Sequence, residues 1–449
     1  MKDNLKRHYE DPSDDGHSCP EKGEKSHKKK KITRSEKGPS VARARDLFES
    51  AKQNWLFPKQ ESDYEIKVKK LLRKCIKVLE NENDAFDTEE DQEAKFSLRT
   101  QANDALTLFC IQKSNYKPKE VYRLLRDGGY VARLSQDVLR YKFLADVTNA
   151  EQPECQSSAT DTVACPCRVY DNALPEEDLD VLISALRPIS ASYWKDHSYS
   201  VYPPTPYFSY AFDLKDETLK QLGALGKHVQ NIKRLSSELF ADKTERDVPQ
   251  YAEVWAHHRP HCSGHQLHFD SDNEGRGEVK HPLVSSIIYL SDEGCGGPSL
   301  ITDQRLGDTQ LAQNGWLSHP KLNRLVVFDG SVLHGVIPGR GFVGERHRVT
   351  LMVALWKDIR IREGDEPGAA RPLPKVNLQR NVDKVPEWYN NLTVKGDKKG
   401  PPAKSVTKVF EHTSKKVEPV RLESVFNTST GKKIKEGKMP HYDAVFQGF

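Results

Sequence analysis

The sequence predicts a helical region followed by a mainly β domain, with polar segments at both ends. Three observations carry this reading. Between Tyr64 and Leu79, apolar residues recur every three or four positions, the spacing that lines one face of a helix. From Ala164 to Trp356 the chain offers short apolar runs bounded by turn residues, as strands require. Residues 1–40 are highly charged, and the stretch after Trp356 is rich in Lys, Pro, Gly and Ser; neither offers large apolar clusters for a core.

Taken in order, residues 1–40 are expected to form a disordered tail, in which Lys28–Lys31 suits either a nuclear import signal or a solvated basic patch. The helical region is placed at 41–148. It contains Tyr64, Val68, Leu71, Leu72, Cys75 and Leu79 at helical spacing, then "TQANDALTLFCIQ", then "KPKEVYRLLRDGGY", where Pro118 opens a helix and Gly128–Gly129 stops it. This region carries no chemical constellation and reads as an accessory surface for partner or substrate docking. Small polar residues over 149–163 form a linker. The chemistry-bearing domain is placed at 164–360. It begins with a strand-like "CRVYDNAL" and a helix, "PEEDLDVLISALRP", with Pro175 and two glutamates at its start. Residues 361–449 are expected to form a polar, partly extended tail.

The bulk properties narrow the function classes. A chain of 449 residues suggests two or three domains. Its mean hydropathy of −0.73 and 30% charged residues are polar enough to imply tails outside the core. A net charge of +4 is too mild for a dedicated nucleic-acid binder. No apolar secretory segment opens the chain, and no run is long enough to span a membrane. Eight scattered cysteines fit free thiols in a reducing compartment, which predicts the cytoplasm or nucleus and makes the sequons at Asn391 and Asn427 chance matches.

The chemistry begins at "HQLHFDSDNE". His268 and Asp270 lie two positions apart, and in a strand residues i and i+2 share a face, so both side chains can converge on one point. An isolated H-x-D is usually only a polar strand end; the segments C-terminal to it give this one another meaning. "HPLVSSIIYLSDEGCGGPSLI" offers two apolar strands around a turn containing Gly294, Gly296 and Gly297. "NRLVVFDGSVLHGVIPG" adds a buried strand, a turn and His334, and "ERHRVTLMVALW" a last strand with Arg348 near its start. Two histidines and one carboxylate delivered from strands and strand ends make the facial triad of a non-haem Fe(II) site. Arg348, fourteen residues beyond His334, could anchor the far carboxylate of a keto acid chelated to the metal. Tyr289 could add a phenolic hydrogen bond to the same carboxylate.

These segments together resemble the Fe(II)/2-oxoglutarate-dependent dioxygenases, specifically their prolyl 4-hydroxylase-like branch. The likeness runs over roughly 164–357 and is strongest from 250 to 356. It implies a double-stranded β-helix (a jelly roll of antiparallel strands with flanking helices), with His268, Asp270 and His334 as iron ligands and Arg348 and Tyr289 as 2-oxoglutarate contacts. The implied reaction consumes O2 and 2-oxoglutarate, hydroxylates a C–H bond and releases succinate and CO2, with ascorbate as reductant. The implied partner is a protein or peptide substrate, with proline as the first target; a small-molecule substrate and a non-catalytic jelly-roll binding module are the alternatives. Collagen-type relatives usually carry Lys at the place of Arg348, which makes collagen a poor substrate guess.

Other candidates receive plainer readings. His257, His258, His261 and His265 could suggest a zinc site, but alternating strand exposure and a polar approach loop explain them more cheaply. Cys165 and Cys167 in "CPC" read as a turn leading into a strand. Arg340 and Arg346 rival Arg348 as anchors, but both fall in the "GRGFVGER" loop, too soon after His334.

Overall fold

A computed structural model describes residues 39–56, 63–80, 89–113, 117–142, 164–200, 208–240, 248–272, 279–340, 346–362, 370–374, 385–393, 414–422, 424–434 and 444–448. Residues 1–38 of the tail expected over 1–40, with Lys28–Lys31, and the linker over 149–163 lie outside them, while the first helix begins at Pro39.

The N-terminal region folds as helices α1 (Pro39–Leu56), α2 (Tyr64–Glu80), α3 (Glu89–Gln112) and α4 (Pro118–Asp127), then strand β1 (Ala132–Leu134) and a short α5 (Gln136–Leu139). Helix α2 buries Val68, Leu72, Cys75 and Leu79, the stripe its spacing predicts. Helix α1 buries Val41, Ala44, Phe48 and Ala51, a stripe half made of alanine and therefore faint in the sequence. Helix α4 starts at Pro118 and stops at Gly128, followed by Gly129 at φ +80°.

The second region opens with β2 (Cys167–Asp171), α6 (Glu176–Leu186), α7 (Ser192–Asp196), β3 (Tyr210–Asp213), α8 (Asp216–Gln221) and α9 (Gly223–Leu235). Eight strands follow: β4 (Tyr251–Pro260), β5 (His265–His268), β6 (Val284–Tyr289), β7 (Ser299–Arg305), β8 (Gly315–Ser318), β9 (Leu325–Asp329), β10 (Val332–Val336) and β11 (His347–Trp356). Then come β12 (Arg371–Pro372), α10 (Glu387–Leu392), β13 (Lys415–Val417), β14 (Val420–Leu422), β15 (Phe426–Thr428) and β16 (Val445–Phe446).

Strands β4 to β11 divide between two facing sheets in the orders β4–β11–β6–β9 and β5–β10–β7–β8. All their pairings are antiparallel. First and last strands are neighbours in one sheet, second and seventh in the other, which is the double-stranded β-helix. Strands β3 and β12 extend the larger sheet at one edge and β2 and β13 at the other, while β14 extends the smaller. Between the sheets lie Trp255, Ile287, Tyr289, Ile301, Trp316, Phe328 and Met352.

Both outer faces are covered. Helices α6 and α9 lay Leu182, Leu186, Val229 and Ile232 in one core with Val254, Leu351 and Val353 of the larger sheet. The smaller sheet turns Leu267, Leu300, Leu317 and Leu333 outward into the same core as Leu106, Leu108 and Leu139 of the N-terminal helices and Phe446 near the C-terminus. The sequence boundary around 148–164 therefore separates two stretches of chain that share one hydrophobic core. The segment expected as a polar tail contributes too: β15 and β16 flank β1 in a three-stranded sheet, and Gln447 Oε1 accepts the Leu267 amide at 2.7 Å.

This shared core limits how the chain can be cut. Each of the four outward leucines is worth about 1.5–3 kcal/mol of burial, so uncovering them removes an amount comparable to a domain's whole stability of about 5–15 kcal/mol. A fragment of residues 160–360 should therefore aggregate or melt far below the full chain in a thermal scan; equal melting would show that the helical cover is dispensable.

His228, on the buried side of α9, is fully buried with neither ring nitrogen bonded, and burial pushes its pKa down to about 3. Below about pH 6.5 the unfolded chain takes up a proton that the folded chain refuses, so this group's effect is nil above that pH and destabilising below it. The loss grows as pH falls towards 3 and reaches about 2 kcal/mol near pH 5. His228→Leu should accordingly lose less stability than wild type between pH 7 and pH 5 in denaturant titrations; parallel losses would contradict the assignment.

Candidate metal centre and co-substrate cavity

The register of two strands assembles the centre. His268 ends β5 and sits directly across from His334 of β10, which brings the ring centroids to 4.4 Å. Asp270 follows two residues later, and its Oδ1 lies 3.6 Å from Nε2 of each histidine. That distance is too long for a hydrogen bond and slightly wider than the edge between ligands that share one ion at about 2.0–2.2 Å. Among the described residues, His268, Asp270 and His334 are the one group whose donor atoms converge within 4.8 Å as a metal site requires.

The surroundings fix which atoms face the centre. His268 Nδ1 lies 2.7 Å from the Gln266 carbonyl, and His334 Nδ1 lies 3.0 Å from the Val332 carbonyl. A carbonyl oxygen only accepts, so each Nδ1 carries the proton and each Nε2 keeps a lone pair towards Asp270. Ser285 donates to Asp270 Oδ2 at 2.5 Å, leaving Oδ1 for an ion. His265 stacks on His268 at 4.6 Å, and Phe328 packs 4.8 Å from His334.

The electrostatics agree with a cation site. Burial opposes a charge on Asp270, but His334, His268 and the Ser285 hydrogen bond outweigh it and hold the carboxyl well below its usual range. Burial pushes His334 down to about 4, against the pull of Asp270. Burial also opposes a charge on His268, yet the adjacent Asp270 carboxylate raises its pKa. A carboxylate kept ionised beside two imidazoles is a hard–borderline donor set suited to a first-row divalent ion.

Arg348 closes the other end of the same cavity, whose walls include Trp255, Ile287, Phe328 and Met352. It is 4% exposed, donates from Nη2 to Ser299 Oγ at 3.0 Å, and its guanidinium lies 5.1 Å from the Tyr289 ring centroid. Gly296 makes room for it: at φ +86°, a Cβ there would stand 2.5 Å from Arg348 Cδ. Tyr289, expected to touch the keto acid, does not line the cavity. Its hydroxyl donates to the Ser318 carbonyl at 3.0 Å and shares a 2.9 Å hydrogen bond with Ser299, so it braces Arg348 from below.

The rival candidates are engaged elsewhere. Arg340 donates to the Tyr141 carbonyl and lies over the Tyr141 ring, while Arg346 is exposed. His261 accepts the Gly296 amide at 2.8 Å, and His258 contacts the Arg187 carbonyl and His347. Cys165 lies just ahead of β2 and Cys167 is its first residue, with sulfurs 3.6 Å apart. Sequence reasoning missed Ser285 and the inner-face residues His257 and Arg259 of β4 as parts of this cavity, and Ser299 as the hydrogen-bond partner of Arg348; the i, i+2 alternation of β4 was visible, but what it faces depends on register.

No family model and no curated relative matches the sequence. Among solved structures, a Pseudomonas putida prolyl-4-hydroxylase is similar at 17% identity over 45% of this chain and 89% of that one, with a TM-score of 0.27. EvdO2 from Micromonospora carbonacea var. aurantiaca, complexed with 2-oxoglutarate, is similar at 12% identity over 45% and 90%, with a TM-score of 0.30. HygX from Streptomyces hygroscopicus, with nickel and 2-oxoglutarate bound, is similar at 11% identity over 45% and 91%, with a TM-score of 0.23.

Ser285→Ala should test the centre without touching a ligand. Removing a hydrogen bond that orients a ligating carboxylate typically costs about 10–100-fold in metal affinity. Titration of the variant with Ni(II) or Mn(II) should show such a loss with an unchanged fold; unaltered affinity would mean that the Ser285 hydrogen bond does not position a metal ligand.

Proposed function

We propose that the chain is an Fe(II)- and 2-oxoglutarate-dependent dioxygenase, with His268, Asp270 and His334 as metal ligands and Arg348 as the anchor of the keto acid's distal carboxylate. One observation carries the reading: a convergent His–Asp–His triad and a buried guanidinium without a carboxylate partner among the described residues share one cavity. The triad supplies three ligands on one side and leaves the remaining positions of an octahedral ion to co-substrates. When bound, the iron supplies the redox chemistry that couples oxidative decarboxylation of 2-oxoglutarate by O2 to hydroxylation of a C–H bond, with succinate and CO2 as co-products.

The protein's own part is positional. Gln266 and Val332 hold the two imidazoles with Nε2 inward, and Ser285 holds the carboxylate. Ser299 and Tyr289 fix Arg348, whose fork suits a paired interaction with a carboxylate. Trp255, Ile287, Phe328 and Met352 keep the space between them apolar, which limits water around the reacting groups. The sequence resemblance makes a protein side chain, proline first, the substrate to test, with ascorbate as the reductant. No helix among the described residues is long and apolar enough to cross a membrane, and the reading from the sequence places the protein in the cytoplasm or nucleus.

Arg348→Ala should leave metal affinity nearly intact while weakening 2-oxoglutarate binding to the Ni(II)-loaded protein. Losing one member of a desolvated charge pair costs about 2–5 kcal/mol, or roughly 30- to 5000-fold. Arg348→Lys should recover part of this, because charge survives and the fork does not. The companion assay is succinate release from 2-oxoglutarate with Fe(II) and ascorbate. Wild-type keto-acid affinity in Arg348→Ala would remove 2-oxoglutarate from the account.

A further inference from the structure

We propose that Arg259 is the receptor for an anionic group, a carboxylate or phosphate, carried by the primary substrate. This rests on the reading of the cavity as a metal and keto-acid site, and it concerns what else that site must hold. Strands β4 and β11 pair so that Arg259 lies directly opposite Arg348, and both line the cavity. Like charges directly across a strand pair are destabilising, so their coexistence needs a compensating anion. No carboxylate among the described residues supplies it. Glu253, also on β4, lies six residues from Arg259 along the strand, roughly 20 Å away, and takes a hydrogen bond from Ser209 instead.

The two guanidiniums are not equivalent. Arg348 is fixed by Ser299 and Tyr289, deep in the fold. Arg259 is only partly buried, at the end of β4, and nothing among the described residues bonds it; its Nε is buried without a partner. Burial, and beyond it the charge of Arg348, lower the Arg259 pKa. Between Arg259 and the metal centre stands His257, 8% exposed, with both ring nitrogens buried and unbonded. Its ring lies 5.3 Å from that of His265, which in turn stacks on His268. A row of unsatisfied polar groups thus runs along the inner face of β4 towards the triad, and a buried group of this kind is normally satisfied by a ligand or water.

Charge points the same way. A divalent ion and two guanidiniums outweigh Asp270 and a dianionic keto acid by a single positive charge. Arg348 serves the keto acid, so the surplus falls to Arg259, the more accessible of the pair. A monoanionic group on the substrate would neutralise it and would fix the substrate's orientation relative to the metal.

The test uses the full chain loaded with Mn(II) and saturating 2-oxoglutarate, with inorganic phosphate as probe. Bound near the manganese, phosphate should show paramagnetic 31P relaxation, and Arg259→Gln should weaken its binding about tenfold or more. Arg259→Lys should retain part of it, and thermal unfolding of both variants confirms that they fold. Keto-acid affinity should stay within about threefold in Arg259→Gln, a change of well under 1 kcal/mol. Relaxation that persists unchanged in Arg259→Gln overturns the proposal, as does its absence in wild type. So does an Arg259→Gln variant that loses the keto acid as severely as Arg348→Gln, since Arg259 would then serve the co-substrate. An Arg348→Gln variant with undiminished keto-acid binding sinks the co-substrate reading instead, and leaves the phosphate result to stand for itself.

Discussion

The structure depends on one strand pairing, β5 against β10, because it sets His268 across from His334. Among the described residues that pairing is held from one side only, since β5 is the edge of its sheet. An edge strand four residues long is a weak platform for a metal ligand. The chain compensates at both ends of its sequence. Gln447 accepts the free amide of Leu267, and the Leu267 side chain packs outward into the core built by the N-terminal helices and the C-terminal strands. Regions that carry no chemistry of their own therefore hold the strand that does.

A second constraint is electrostatic. The cavity walls carry a carboxylate at Asp270 and guanidiniums at Arg348 and Arg259, with His257, His265 and apolar side chains also lining the space. An ion at the triad and a dicarboxylate reaching from it to Arg348 would satisfy both kinds of charge at once. The fixed hydrogen bonds of Ser285 and Ser299 mean that little reorganisation is needed when they bind, which is where much of a protein's contribution to such chemistry lies.

Much of this was legible in the sequence where chemistry and spacing coincide. His268, Asp270 and His334 stand out because two imidazoles and a carboxylate on and beside predicted strands suit a metal, and Arg348 because it stands near the start of a long apolar strand. The helices at Tyr64–Glu80 and Pro118–Asp127 declare themselves through periodicity and Pro/Gly punctuation. What stayed hidden depends on pairings distant in sequence. Continuous apolar runs such as "LVVF" tell that both faces of a strand are buried, but not by what. The sharing of one core between residues near 106, 300 and 446 has no local signature, nor has the meeting of Arg259 with Arg348 across β4 and β11. Tyr289 was legible as an aromatic near the site, yet only its partners Ser299 and Ser318 show that its hydroxyl is already engaged.

The most direct measurement of the central claim is an anaerobic titration of the full chain with Fe(II) in the presence of 2-oxoglutarate. The readout is the visible charge-transfer absorption of an iron–keto acid chelate. A metal centre at the triad with the keto acid anchored by Arg348 predicts a band that needs both components, saturates at one Fe(II) per chain, and vanishes in Asp270→Ala. A wild-type protein that binds Fe(II) without forming the band, or an Asp270→Ala variant that forms it undiminished, would contradict that assignment.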